Sequence, residues 1–116
     1  MLATIYHNPR CSKSRETLKI LHSKGVSTKI ILYLTDTIKR SELIVLLRKL
    51  NMTPIQFVSR NEQIYKELVS KQMQPTDDVL IDAMIAYPIL IERPIVVIEN
   101  QAVIGRPPEN VLSIIS

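Results

Sequence analysis

Two short apolar runs, Thr4-Ile5-Tyr6 and Lys29-Ile30-Ile31-Leu32-Tyr33-Leu34, bracket a stretch of helical periodicity, and this β-α-β order restricts the fold more than any other feature of the chain. Leu18 and Leu21 share one face of a helix from about Ser12 to Ser23, and Gly25 stops it. Such a crossover joins two parallel strands by a right-handed connection, which lays the helix on one face of the sheet. The loop after the first strand then falls at the carboxyl edge of the sheet, where α/β proteins bind ligands. That loop, His7-Asn8-Pro9-Arg10-Cys11-Ser12-Lys13-Ser14-Arg15, carries the sole cysteine of the chain.

The remaining segments extend this unit. Leu43, Leu46, Leu47 and Leu50 repeat at helical spacing, Pro54 marks a break, and Glu62 to Leu68 predicts a shorter helix with Ile64, Tyr65 and Leu68 inward. Thr76-Asp77-Asp78 is a helix start with a capping hydroxyl and first-turn acids; Leu80, Ile81, Met84 and Ile85 form its buried face, and Pro88 stops it. Residues 41 to 87 therefore form a helical block without flexible linkers, expected as an insertion packed against the sheet rather than a separate module. Ile95 to Glu99, a turn at Asn100-Gln101, and Ala102 to Ile104 predict an antiparallel hairpin closed by Gly105. Pro107-Pro108 opens a last helix with Val111, Leu112 and Ile115 on its buried side. The expectation is an α/β chain with a small mixed four-stranded sheet flanked by helices, the layout of the thioredoxin-like fold, in a single domain over residues 1–116.

Composition narrows the setting. A chain of 116 residues can bury one core without disulfide staples, and one cysteine cannot form an internal disulfide. With no signal peptide at the start, the expected compartment is the reducing cytoplasm. The aliphatic runs are far shorter than the roughly 20 residues that a membrane span needs. Net charge is +4, and residues 1–50 hold ten Lys/Arg against three Asp/Glu. Nucleic-acid binding is not expected, because there is no basic block and no interleaved aromatic series.

A lone cysteine is most often an inert small hydrophobe. Cys11 departs from that pattern: its neighbours are polar or turn-forming, and it stands where a helix begins. Unpaired N–H groups and the positive end of the helix dipole favour thiolate there and attract anions, so Cys11 is a candidate nucleophile. Cys11-Ser12-Lys13-Ser14 is a C-x-x-S in which Ser14 replaces a second thiol, so regeneration after oxidation needs an external thiol such as glutathione, followed by a glutaredoxin. Ser14 either donates to the thiolate or is only a first-turn polar residue; His7 either orients or deprotonates the thiol or simply ends its strand. A metal is not expected, since the other histidine, His22, lies at the far end of the helix and zinc needs more ligands. Arg60, Arg93 and Arg106 flank irregular segments and offer planar forks suited to a tetrahedral oxyanion, although each taken singly also reads as an exposed surface residue. A tyrosine-phosphatase loop, Cys-x5-Arg, is excluded because Thr17 stands at the sixth residue after Cys11.

His7-Asn8-Pro9-x-Cys11-x-x-Ser14-Arg15, Ile31-Leu32-Tyr33-Leu34, Pro88 to Val97 and Gly105-Arg106-Pro107, taken together over nearly the whole chain, resemble the glutaredoxin-linked arsenate reductase family. The resemblance implies a thioredoxin-like fold with a helical insertion and a cis proline at Pro94 beside the active site. It further implies Cys11 as nucleophile, His7 and Ser14 tuning it, and Arg60, Arg93 and Arg106 holding arsenate. In the implied reaction Cys11 attacks As(V) with loss of water, glutathione adds to the adduct, and electrons pass through the mixed species with glutaredoxin as arsenite leaves. No tightly bound cofactor is implied; glutathione is a co-substrate, and a monomer is expected. Ser12-Lys13 stands where the best-known reductases of the family have Gly-Thr. The fold also resembles Spx-type regulators that bind RNA polymerase, though these carry C-x-x-C, and a glutathione-binding redox protein without oxyanion chemistry is a third reading.

Overall fold

The computed structural model describes residues 1–36, 38–71 and 75–115. It divides into two compact units, one formed by Met1–Asp36 with Arg93–Ser116 and the other by Thr37–Glu92. The first contains a four-stranded sheet whose strands lie in the order Ser27–Ile31, Leu2–Tyr6, Ile95–Ile98 and Gln101–Ile104. β1 (Leu2–Tyr6) pairs in parallel with β2 (Ser27–Ile31), placing Ile5 opposite Ile30. On its other side β1 pairs antiparallel with β3 (Ile95–Ile98), placing Ile5 opposite Val96, and β3 pairs antiparallel with β4 (Gln101–Ile104). This is the mixed sheet of the thioredoxin-like fold.

Between β1 and β2 runs α1 (Ser12–Ser23), and its end explains why Gly25 is needed. The N–H of Gly25 bonds to His22 O at 3.0 Å and that of Val26 to Leu21 O at 3.1 Å, a Schellman closure that requires the left-handed conformation Gly25 adopts at φ +71°. Val26 and Leu21 then enter one cluster with Ala3, Ile5, Val96 and Ile98 from the sheet. Each such fully buried aliphatic side chain contributes about 2 kcal/mol. A 3₁₀ helix, Pro108–Ser113, supplies Val111 to the same cluster, and Ile114 follows it.

Three details of the sheet unit differ from the sequence expectation, each for a physical reason. β2 begins at Ser27 rather than Lys29, because the Schellman closure delivers the chain straight into pairing with Leu2, and it ends at Ile31. Leu32 to Leu34 instead form a turn in which Tyr33 is fully buried while Leu32 and Leu34 are exposed. The hairpin turn is Glu99-Asn100, not Asn100-Gln101: Ile98 stays in the strand because its side chain fills the core, and Glu99 takes φ +54°. At the C-terminal end the expected inward set Val111, Leu112 and Ile115 gives way to Pro108, Val111 and Ile114, with Leu112 exposed and Ile115 half-buried. Three residues per turn, rather than 3.6, place every third side chain on one face.

In the second unit α2 (Arg40–Leu50) buries Leu43, Leu46 and Leu47, and α5 (Asp77–Ala86) buries Leu80, Ile81 and Met84. Thr76 caps α5, its hydroxyl accepting the N–H of Val79 at 3.2 Å. Pro54 does more than interrupt: it opens the short helix α3 (Pro54–Phe57), whose Thr53 and Gln56 close a capping box. α4 (Gln63–Lys71) contributes no fully buried residue, so Ile64, Tyr65 and Leu68 are half-buried rather than core. Among the described residues no helix is long and apolar enough to cross a membrane.

Candidate active site at the first strand–helix junction

β1 runs one residue beyond its ladder, since the His7 N–H still bonds to Ile31 O at 2.8 Å. Asn8 then turns the chain: its Oδ1 accepts the Arg10 N–H at 3.0 Å, and its carbonyl accepts the Cys11 N–H at 3.0 Å. Arg15, one turn into α1, donates from Nη1 to Pro9 O at 3.3 Å. The outcome is Cys11 in extended conformation at the N-cap of α1, half-buried.

Four groups act on its sulfur. Burial pushes the thiol pKa up; the backbone N–H groups of Ser14 and then Lys13, and the charges of Arg106 and Arg93, pull it down, and the net is a pKa lowered from the ordinary 9.0. The two N–H groups act as directed dipoles of the first helical turn without closing a formal cap hydrogen bond on the sulfur. Arg106 reaches the sulfur directly: its Nη2 donates to Cys11 Sγ at 3.6 Å while its Nε donates to Arg93 O at 2.7 Å. Both ends of that guanidinium are therefore held, one by a carbonyl and one by the sulfur.

Ser14 is fully buried, and its hydroxyl is engaged with His7 Nδ1 at 2.5 Å and with the Asn8 N–H at 3.0 Å. Its influence on the sulfur comes through its backbone, whereas its hydroxyl braces the loop against β1. Burial holds the His7 pKa below its ordinary 6.5, so the imidazole is neutral around pH 7 and serves as a hydrogen-bond partner rather than a cation. Arg93 and Pro94 lead into β3, and the Arg93–Pro94 peptide is cis, as is Arg106–Pro107.

Cys11, His7, Ser14, Arg93, Pro94 and Arg106 all belong to the sheet unit, whereas Arg60 lies exposed in the helical unit between α3 and α4. Gly105, an uncharged residue, fixes the approach of β4 to this site. A Cβ there would overlap Thr17 Oγ1 and come within 2.8 Å of Pro94 Cγ, so only glycine lets β4 end against both α1 and the Pro94 loop. Its N–H bonds to Pro94 O at 2.9 Å, which fixes where Arg106 begins. No group of three His, Cys, Asp or Glu side chains that could hold a metal occurs among the described residues.

Fold and site together define a thioredoxin-like protein with one acidified thiol and a guanidinium held against it. The chain belongs to the ArsC family, whose sequence model matches residues 6–114. It is 47% identical to the uncharacterized protein YfgD of Escherichia coli K12, over 96% of this chain and 94% of that one. It is 41% identical to an arsenate reductase of Haemophilus influenzae, over 99% of this chain and 100% of that one. The solved structure of an arsenate reductase from Vibrio cholerae matches with a TM-score of 0.93 at 46% identity, covering 99% of this chain and 98% of that one.

Proposed function

We propose that this protein reduces arsenate to arsenite through a covalent adduct on Cys11, with glutathione and glutaredoxin as the source of electrons. The observation that carries the reading is the Arg106 guanidinium held at 3.6 Å from Cys11 Sγ at a helix N-terminus, which unites a nucleophile and an anion donor in one place. Family membership and the names of its relatives support arsenate as the oxyanion.

In this reading the Cys11 thiolate forms a bond to arsenic as one arsenate oxygen leaves as water, and arsenic remains As(V). Glutathione displaces a second oxygen as water. A glutaredoxin thiolate then attacks the glutathione sulfur; the As–S bond breaks with its electron pair left on arsenic, giving As(III) and a glutaredoxin–glutathione disulfide. Hydrolysis releases arsenite and restores the thiol. An external thiol is needed because Ser14 occupies the position of a resolving cysteine. The guanidinium groups stabilise the charge of the attack; Arg106 enters the reading on its contact with the sulfur, Arg93 on its charge effect on Cys11, and Arg60 on its place beside an irregular segment and on the resemblance. Dependence on glutathione places the activity in the cytoplasm, and the thiol site is complete within one chain, so a monomer suffices.

The test is NADPH consumption coupled through glutathione reductase, with arsenate, glutathione and glutaredoxin present. Arsenate-dependent loss of NADPH is expected, and Cys11→Ser should lower it by at least about a thousandfold. Undiminished turnover in Cys11→Ser, or no arsenate dependence in the native protein, refutes the proposal.

A further inference from the structure

The 3₁₀ helix Pro108–Ser113 closes the sheet unit's core with Pro108, Val111 and the following Ile114, and none of that packing involves Asn110. Asn110 is exposed, so a helix serving only to pack would place no demand on its identity. Yet its Nδ2 donates to Ile104 O and to Arg106 O, each at 3.1 Å. A primary amide carries two hydrogens on one nitrogen, enough for both carbonyls. The amide's orientation follows from its partners: turned over, it would face two carbonyl oxygens with its own.

These two acceptors lie on either side of Gly105. One edge of the segment Ile104–Arg106 is thus tied to Asn110, while Gly105 bonds to Pro94 O and abuts Thr17 and Pro94 on the other. From this clamp the Arg106 side chain extends, with Nε on Arg93 O and Nη2 toward Cys11 Sγ. An arginine side chain has four rotatable bonds, and a bond at its tip fixes the guanidinium only if the backbone at its root is fixed as well. We infer that Asn110 is a positioning residue for Arg106: by holding the carbonyls of Ile104 and Arg106 it sets the guanidinium beside the Cys11 sulfur. The inference rests on the reading of Cys11 and Arg106 as the reacting pair, but not on arsenate being the substrate.

Alkylation by iodoacetamide across pH tests it directly, since Cys11 is the one cysteine present. Asn110→Ala should move the profile toward higher pH, slowing alkylation near pH 6 by about threefold through loss of thiolate. Asn110→Ser retains one donor hydrogen and should fall between Asn110→Ala and the native protein; it also keeps the test open should the alanine variant not fold. A residue acting through Arg106 must lose its effect when Arg106 is absent, so adding Asn110→Ala to Arg106→Ala should change nothing further. An equal slowing in both backgrounds, or an unmoved profile in either folded Asn110 variant, overturns the inference. Because alkylation needs no arsenate, a protein inactive in the reductase assay but showing this pattern would refute the proposed function while leaving the role of Asn110 standing.

Discussion

The sheet unit and the helical unit bury comparable residue types but fix them to different degrees. In the sheet unit the ladder, the Schellman end of α1, the Asn8 turn and the Gly105 contact constrain the chain around Cys11 from several directions at once. In the helical unit Leu43, Phe57, Leu80 and Met84 are fully excluded from water, but α4 contributes no buried residue. Its side chains Ile64 and Leu68 meet Ala83 and Tyr87 around a cleft of about 190 Å³. Backbone hydrogen bonding across a sheet specifies position as well as burial, whereas apolar packing by itself tolerates substitution and repacking. The thiol and the guanidinium beside it are held by the unit that specifies position.

The largest stability effect that sharpens this contrast belongs to the helical unit's own core. Leu80→Ala should cost about 3 kcal/mol in urea unfolding, while Leu68→Ala, on half-buried α4, should cost about 1 kcal/mol or less. Equal losses would mean that α4 is as tightly packed as α5. Next comes Gly105→Ala, which forces a methyl group into Thr17 and Pro94 and should cost about 2 kcal/mol. Besides stability, this variant should slow Cys11 alkylation near neutral pH, because Arg106 starts at the displaced residue. A stable Gly105→Ala protein with an unchanged alkylation profile would show that the contact does not control the site.

The two units also differed in how much of them the sequence revealed. α1 is observed over Ser12–Ser23 as expected, because the periodic Leu18/Leu21 face and the Gly25 stop agree. The Thr76 cap of α5 was equally legible. Apolar runs mislead where burial and pairing part company: Leu32 to Leu34 reads as strand because it continues a dense apolar run of strand length, although of the three only Tyr33 is buried and the chain is already turning there. Period misled at the C-terminus, where a 3₁₀ helix exchanges Leu112 for Ile114. Cys11 stands out because its type and place are both unusual, whereas Arg106 is marked only by its place at the exit of the hairpin and by the Gly105-Arg106-Pro107 string of the resemblance. Thr17 and Asn110 carry no such signal; a buried threonine gains meaning only from Gly105, far along the chain, and an exposed asparagine only from the two carbonyls four and six residues before it.

A smaller effect tests whether the brace behind Cys11 is as closed as its geometry implies. The folded-state pKa of His7 lies below 6.5, so as pH falls the unfolded chain binds this proton first. Its contribution to stability is intact above the unfolded value and is lost as pH falls through the depressed folded value. His7→Gln keeps an amide that can pair with Ser14 Oγ but removes the titration, so the decline in stability as pH falls below the ordinary 6.5 should flatten. An identical slope in native and variant proteins would mean that other groups govern acid sensitivity there.

The smallest effect concerns the polar tie of the helical unit. Arg40, the first residue of α2, pairs with Asp78 at 2.6 Å and also with Asp82, reaching two consecutive turns of α5. Its side chain is 41% exposed and the two carboxylates are 82% and 71% exposed, so water and salt screen the attraction. Arg40→Ala should therefore cost about 0.5 kcal/mol, and less in about 0.5 M salt, although the guanidinium reaches two carboxylates. The Ser14–His7 bond in the sheet unit is the opposite case, a buried contact whose loss leaves a polar group away from water. If Arg40→Ala instead costs more than about 1.5 kcal/mol and salt does not reduce it, the arginine stem is packing against α5. The helical unit would then fix position by directed contacts as the sheet unit does, and the contrast between the two would fail at its most exposed point.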